Sequence, residues 1–218
     1  MTQPSSFDMI DKNQLKRGFN MQNKNKQRTR RIALLVIFTT LILLQTFVPL
    51  MGYIPIPPLN PTIIHLTVII ATITLGTVDG MVIGGVWGIA RMVKAITLPS
   101  SPLDPLLWTN PLIALVPRVL IGLFTGIVYH QIFKRKETTS FLRISASAVV
   151  GSFTNTIFVL WFIYLFYGRE YAQVLEVDYS QLATALGVVI ATNGTAEALS
   201  AAILSPLIAR PLLKRKIH

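Results

Sequence analysis

At 218 residues, 52% of them hydrophobic and only 13% charged, the chain is too apolar for an ordinary soluble domain. Its net charge of +11 does not mark a nucleic-acid binder, because the basic residues flank apolar runs instead of interleaving with aromatics. With no cysteine, a disulfide framework, a thiol nucleophile and a Cys-based metal site are all excluded.

The chain opens on a polar, basic tract from Lys12 to Arg31 that runs straight into an apolar segment without a small-residue cleavage site, unlike a secretory signal. Residues 1–30 are therefore expected to form a cytoplasmic N-terminal segment, and residues 31–218 a single membrane domain. Crossing the hydrocarbon takes about 20 apolar residues. Ile32 to Met51 is such a run, closed by Gly52 and the segment Pro55-Ile56-Pro57-Pro58. Pro61 to Leu75 is shorter and ends at Gly76; a tight turn around Thr77 and Asp79 then leads into Gly80 to Ile96. After a Pro/Ser-rich loop from Pro99 to Pro105, further spans are expected over Pro111 to Phe133, Phe141 to Tyr167 and Leu182 to Leu213. The fold expected is all-α and integral to the membrane, with six transmembrane helices in a compact bundle.

Sixteen of the twenty Lys and Arg residues fall into three groups: Lys12 to Arg31, Lys134 to Lys136 with Arg143, and Arg210 with Lys214 to Lys216. Asp104, Glu170, Glu176 and Asp178 occupy the opposite connections. Basic residues accumulate on the cytoplasmic side of membrane helices, so both termini are expected in the cytoplasm of a multi-pass cell-membrane protein. The anionic lipid leaflet there is the natural counter-charge.

Arg91, Lys94, Arg118 and Glu197 lie inside the apolar runs, where an ionised side chain costs several kcal/mol and normally faces a cavity or a partner. Arg91 and Arg118 sit within about two turns of the outer ends of their spans, at a depth reachable from outside. A guanidinium suits bidentate recognition of a carboxylate. With Glu197 as the acid within the spans, one arginine is expected to serve a ligand and the other to be neutralised by Glu197. Lys94, nearer the span end, reads as an interface anchor that snorkels outward. Asn155 lies in a polar run on the fifth span, and Asn193 and Glu197 are one turn apart on the sixth. Each asparagine suits either ligand contact or an interhelical hydrogen bond. Asn60 and His65 flank the start of the second span and Asn110 begins the fourth; a structural role is favoured for His65. Gly76, Gly80, Gly84 and Gly88, with Gly122 and Gly126, are expected to let helices approach closely.

No P-loop, G-x-S-x-G or H-E-x-x-H motif is present, so no catalytic residue, metal or cofactor is assigned. The residues alone describe a helical bundle with an outward-accessible polar pocket for a small anionic solute.

The stretch Ile64-His65-Leu66-Thr67-Val68-Ile69-Ile70, then Leu75-Gly76, Gly80, Gly84 and Trp87-Gly88-Ile89, carries a resemblance that continues through Asn110-Pro111 into Val116-Pro117-Arg118-Val119-Leu120-Ile121-Gly122. It resembles the substrate-binding subunits (S-components) of energy-coupling factor (ECF) vitamin transporters, most of all the pantothenate-type branch. The resemblance implies a subunit without enzymatic activity that captures a vitamin on the outer face. It then docks on a transmembrane coupling protein carried by two ABC-type ATPases and delivers the vitamin inward. Docking in the family uses Ala-x-x-x-Ala on the first helix; here Ala33 is followed by Ile37, so the motif is not intact, and Ala33 with Thr40 is the substitute pair. Pantothenate offers a carboxylate, an amide, two hydroxyls and a branched apolar centre. One spare arginine and several asparagines suit it better than a flat aromatic vitamin, with Trp87 among the expected lining residues. The competing readings are an S-component for another vitamin, a free-standing small-solute carrier, and a scaffold protein.

Overall fold

The computed structural model describes residues 6–49, 51–52, 62–100, 103–134, 137 and 139–217; the expected site residue Asn60 lies outside these, as does the Pro55 to Pro58 segment. The described residues are mostly helical and include no strand. In chain order the helices are α1 (Ser6–Phe47), α2 (Ile64–Leu75), α3 (Thr77–Thr97), α4 (Leu103–Trp108), α5 (Pro111–Ala114), α6 (Val116–Gly126), α7 (Phe141–Val174), α8 (Tyr179–Val189) and α9 (Thr195–Ile217). Two π-helical stretches, Ile127–Ile132 and Ile190–Gly194, prolong α6 and join α8 to α9. The chain divides into two compact units, Met1–Ile37 and Phe38–His218. In the first, the basic tract is already helical from Ser6.

Five helical stretches are long and apolar enough to cross a membrane: Lys24–Phe47, Thr77–Thr97, Pro111–Ile132, Phe141–Val174 and Tyr179–Lys214. The second expected span differs. Helix α2 covers about 18 Å at 1.5 Å per residue, short of a roughly 30 Å hydrocarbon core. Every residue from Ile64 to Thr74 is buried, with α3, α6, α7 and α9 packed around it. Enclosure on all sides accounts for its unbroken apolar sequence, since no face has to meet a different medium.

Helix α3 shows how the bundle closes. Val78, Val82, Ile89, Val93 and Ile96 are exposed, an outward apolar face suited to lipid. On the opposite face, a Cβ on Gly84 would collide with the backbone carbonyl of Arg118, and one on Gly88 with Leu115 and Ala114. From α6, a Cβ on Gly122 would strike the backbone of Gly80 and Met81. The two helices therefore run antiparallel with backbones in contact, which is the packing expected of these glycines. Gly76 does something else. With φ +122°, it makes the whole turn between α2 and α3, a conformation that a side chain would strain. The turn expected around Thr77 and Asp79 is thus displaced, and both residues already belong to the first turn of α3.

Other boundaries shift for local reasons. The expected Pro/Ser loop holds α4, and the fourth span is interrupted after α5, where Pro117 cannot donate a main-chain hydrogen bond. Helix α7 runs beyond the expected end of the fifth span, but Tyr167, that end, is where its backbone departs from helical geometry (φ −135°, ψ 26°). Arg143, grouped by sequence with the cytoplasmic basic residues, is 4% exposed. Its Nε donates to the Tyr129 carbonyl at 2.9 Å, and its guanidinium lies 4.1 Å from the Tyr129 ring centroid.

Candidate functional site

Two groups of buried polar residues stand out in the second unit. The first is built on α3, α4 and α6. Arg91 and Trp87 are four residues apart on α3 and therefore share a face. The close packing of Gly84 on the Arg118 carbonyl brings α6 to the same level. The Arg118 guanidinium lies 4.9 Å from the Trp87 ring centroid and 4.8 Å from that of Trp108, while Arg91 lies 4.9 Å from Trp108. Cation–π contacts of this kind gain strength where water is excluded, and both arginines are buried. Arg118 Nη1 also donates to the Ile113 carbonyl at 2.6 Å.

Arg91 is not neutralised by Glu197. Its Nη2 forms an ion pair with Asp104 Oδ1 at 2.8 Å, and the other Asp104 oxygen accepts from the Ser100 N–H at 2.7 Å. Burial pushes the Asp104 carboxyl up, but the Ser100 N–H, the Arg91 hydrogen bond and the charges of Arg91 and Lys94 outweigh it, holding the group below its ordinary 3.8. The sequence reading overlooked Asp104 because it classed the residue as a loop charge. On the short helix α4, Asp104 and Trp108 are four residues apart and share a face, so together they cover Arg91. Two donors in this group lack an acceptor among the described residues: Arg91 Nη1 and the indole Nε1 of Trp87, the latter residue 1% exposed. Lys94 does not snorkel. Its Nζ donates to the Thr46 carbonyl at 2.7 Å, in the last turn of α1, where the helix dipole favours a cation.

The second group lies where α2, α7 and α9 meet. Glu197, in the first turn of α9, accepts from the Thr62 N–H at 2.8 Å and from the Thr156 hydroxyl at 3.2 Å. Thr62 stands just ahead of α2, so the carboxylate faces the positive end of that helix. Neither threonine was singled out by sequence, and backbone donation from Thr62 leaves no sequence signal at all. His65, in the first turn of α2, is 1% exposed and close enough to Glu197 to feel its charge. Asn155 neighbours Thr156 on α7 and is 6% exposed, while Asn193 sits in the π-helical stretch one turn before Glu197. Such local departures from α-helical geometry recur at functional sites. Adjacent Gly194 leaves just enough room for Thr156, 3.3 Å from where its Cβ would stand. Asn155 Oδ1 and Asn193 Oδ1 lack a hydrogen-bond partner among the described residues, whereas the His65 ring meets the backbone of Thr62 and Glu197.

An apolar cluster of Leu107, Ile113, Val159 and Ile163, with Trp108 packed on it, lies beside both groups; Val159 is one turn along α7 from Asn155. The remaining expected residues have local duties. Asn110 caps α5, its side-chain oxygen accepting from the Leu112 N–H at 3.0 Å. Trp161 is 51% exposed and stacks on Phe162, centroids 5.2 Å apart. Ala33 and Ile37 in the first unit, and Thr40 in the second, are exposed. A separate groove between α7 and α8, lined by Ile157, Leu160, Trp161 and Leu186, contains none of the polar residues of either group. Among the described residues no cluster of His, Asp or Glu fit to hold a metal ion occurs.

Comparison with known proteins converges on one kind of molecule. The family model for the substrate-specific component of ECF transporters matches residues 30–209. The chain is 33% identical over 204 residues to the pantothenic acid transporter PanT of Lactococcus lactis subsp. cremoris, covering 88% of this chain and 97% of that protein. It is 36% identical over 117 residues to the pantothenate transporter PanT of Leuconostoc mesenteroides, covering 52% of this chain and 57% of that one. Most of the membrane domain lies within the family match, and the chain belongs to the substrate-specific components of ECF transporters.

Proposed function

We propose that this protein captures pantothenate from the outer face of the cell membrane and releases it inward after docking on a shared energising module. In this reading α2 completes a set of six membrane helices, and the three basic groups hold both termini in the cytoplasm. ATP hydrolysis falls to the two ATPases beneath the coupling protein. The first helix is the docking element, with exposed Ala33 and Ile37 among its contact residues.

The observation that carries the substrate assignment is the pair of buried donors, Arg91 Nη1 and Trp87 Nε1, without acceptors among the described residues and beside the stacked Arg118 guanidinium. A buried N–H without a partner costs about 1–3 kcal/mol, and a carboxylate supplies the acceptors this corner lacks. Asn155, Asn193 and Glu197 offer acceptors to the amide and hydroxyl end of the vitamin, and the Leu107–Ile163 cluster suits its branched centre.

Calorimetric titration of the detergent-purified chain with pantothenate, and with biotin, folate and riboflavin in parallel, tests this. Binding of pantothenate alone is expected, with Arg118→Ala weakening it about tenfold or more as a charge-assisted contact is lost. Tight binding of another vitamin moves the substrate assignment. Uptake by the purified chain alone in liposomes would instead make it a free-standing carrier.

A further inference from the structure

Arg91 carries a counter-ion, Asp104, but that carboxylate is held in a way that charge balance alone does not require. An arginine–carboxylate pair is strongest in its two-pronged form, with two parallel N–H···O bonds. Asp104 does otherwise. Its Oδ1 accepts from Arg91 Nη2 at 2.8 Å, while its Oδ2 accepts from the Ser100 N–H at 2.7 Å. One arm of the Arg91 fork is therefore taken up. The other arm, Nη1, has no acceptor among the described residues, although Arg91 is 6% exposed.

The face of this guanidinium is held as well as its edge. Trp108, one turn after Asp104 on α4, has its ring centroid 4.9 Å from the Arg91 guanidinium and 4.8 Å from that of Arg118. A guanidinium is planar, so an edge contact and a face contact together leave it little freedom to turn. Helix α4 thus grips Arg91 on two sides, and the Ser100 amide fixes the carboxylate that makes the edge contact. Asp104, itself 5% exposed, has little room to take another orientation.

We propose that Asp104 is a positioning residue for the solute, orienting Arg91 so that Nη1 meets the carboxylate of the bound vitamin beside the Arg118 guanidinium. This assignment rests on the pantothenate reading. Its consequence is opposite in sign to simple electrostatics, because Asp104 is an anion placed next to a site for an anion. Removing its charge tightens pantothenate if charge alone counts, and loosens it if the orientation of Arg91 counts for more.

The test is calorimetric titration of pantothenate across the cycle formed by Asp104→Asn, Arg91→Met and the double variant. The Asp104→Asn side chain keeps its size but has one acceptor oxygen, so it cannot hold Arg91 and the Ser100 N–H together. With Arg91 in place, Asp104→Asn is expected to weaken pantothenate about tenfold. In the Arg91→Met background it is expected to cause no further loss, since Asp104 acts through Arg91. Asp104→Glu keeps the charge but shifts the carboxylate by one methylene. It is expected to weaken binding several-fold, and it carries the same comparison should Asp104→Asn fail to fold. Unchanged or tighter binding with Arg91 present would reduce Asp104 to a counter-ion, and equal losses in both backgrounds would make it a support of the fold. Either result leaves the pantothenate reading standing. Failure of the wild-type chain to bind pantothenate is a different result, which defeats that reading and takes the Asp104 assignment with it.

Discussion

The two buried polar groups treat charge in opposite ways. On α3, α4 and α6, cations are stacked on indoles and one is paired with Asp104, so the unmet atoms are N–H donors. On α2, α7 and α9, a carboxylate is held by a backbone N–H and a hydroxyl, and most of the unmet atoms are acceptors. A membrane bundle can therefore keep ionised groups inside by two routes, an aromatic and ionic cage or hydrogen bonds at a helix start. The pairing expected from sequence, arginine against Glu197, would have merged the two groups and removed the polarity between them.

That contrast can be broken most severely at its foundation. Gly84→Val drives a side chain into the Arg118 carbonyl, so it is expected to separate α3 from α6 and cost more than about 3 kcal/mol. Thermal unfolding in detergent would register the loss, and full stability would show that the backbones do not touch there. Next comes Arg91→Ala, which leaves Asp104 buried without its cation and is expected to cost about 3 kcal/mol. Arg91→Met combined with Asp104→Leu is expected to regain most of that stability while still weakening pantothenate, which separates the fold from the site.

The same ion pair has a pH signature. The Asp104 carboxyl is held below its ordinary 3.8 in the folded protein, so the unfolded chain binds its proton more readily. Its contribution is fully present well above pH 4 and is lost as pH falls through the lower folded value. Unfolding midpoints are expected to drop as pH falls below about 4 for the wild type, with a shallower fall for Asp104→Asn. Matching slopes would dissolve the proposed coupling. The smallest effects belong to the acceptor group, where Asn155→Ala and Asn193→Ala each remove a neutral hydrogen bond and are expected to weaken pantothenate several-fold, about 1 kcal/mol each. Titration of the two single variants and the double variant shows whether their losses add, as two separate contacts to one solute require.

Much of the molecule was legible without coordinates. The long apolar runs and the glycine spacing on α3 follow from the thickness of a bilayer and the pitch of a helix, which act on every residue alike. The family match over residues 30–209 agrees with what those residues resembled. Partner choice was not legible. Whether Arg91 meets Asp104 or Glu197 depends on how α4 folds back over α3, and the helical turn from Asp104 to Trp108 was concealed in a segment rich in proline and serine. Backbone donors such as the Thr62 N–H are common to almost every residue type, so sequence cannot mark the one that holds a carboxylate.

By itself, then, the sequence determined the solvent in which this protein folds, the positions of most of its membrane helices and the charges that a membrane would not tolerate without a purpose. Tertiary structure alone decided which side chains meet. Contacts between residues distant in the chain, such as Thr62 with Glu197, arise from helix packing, and packing depends on the shapes of all the helices at once.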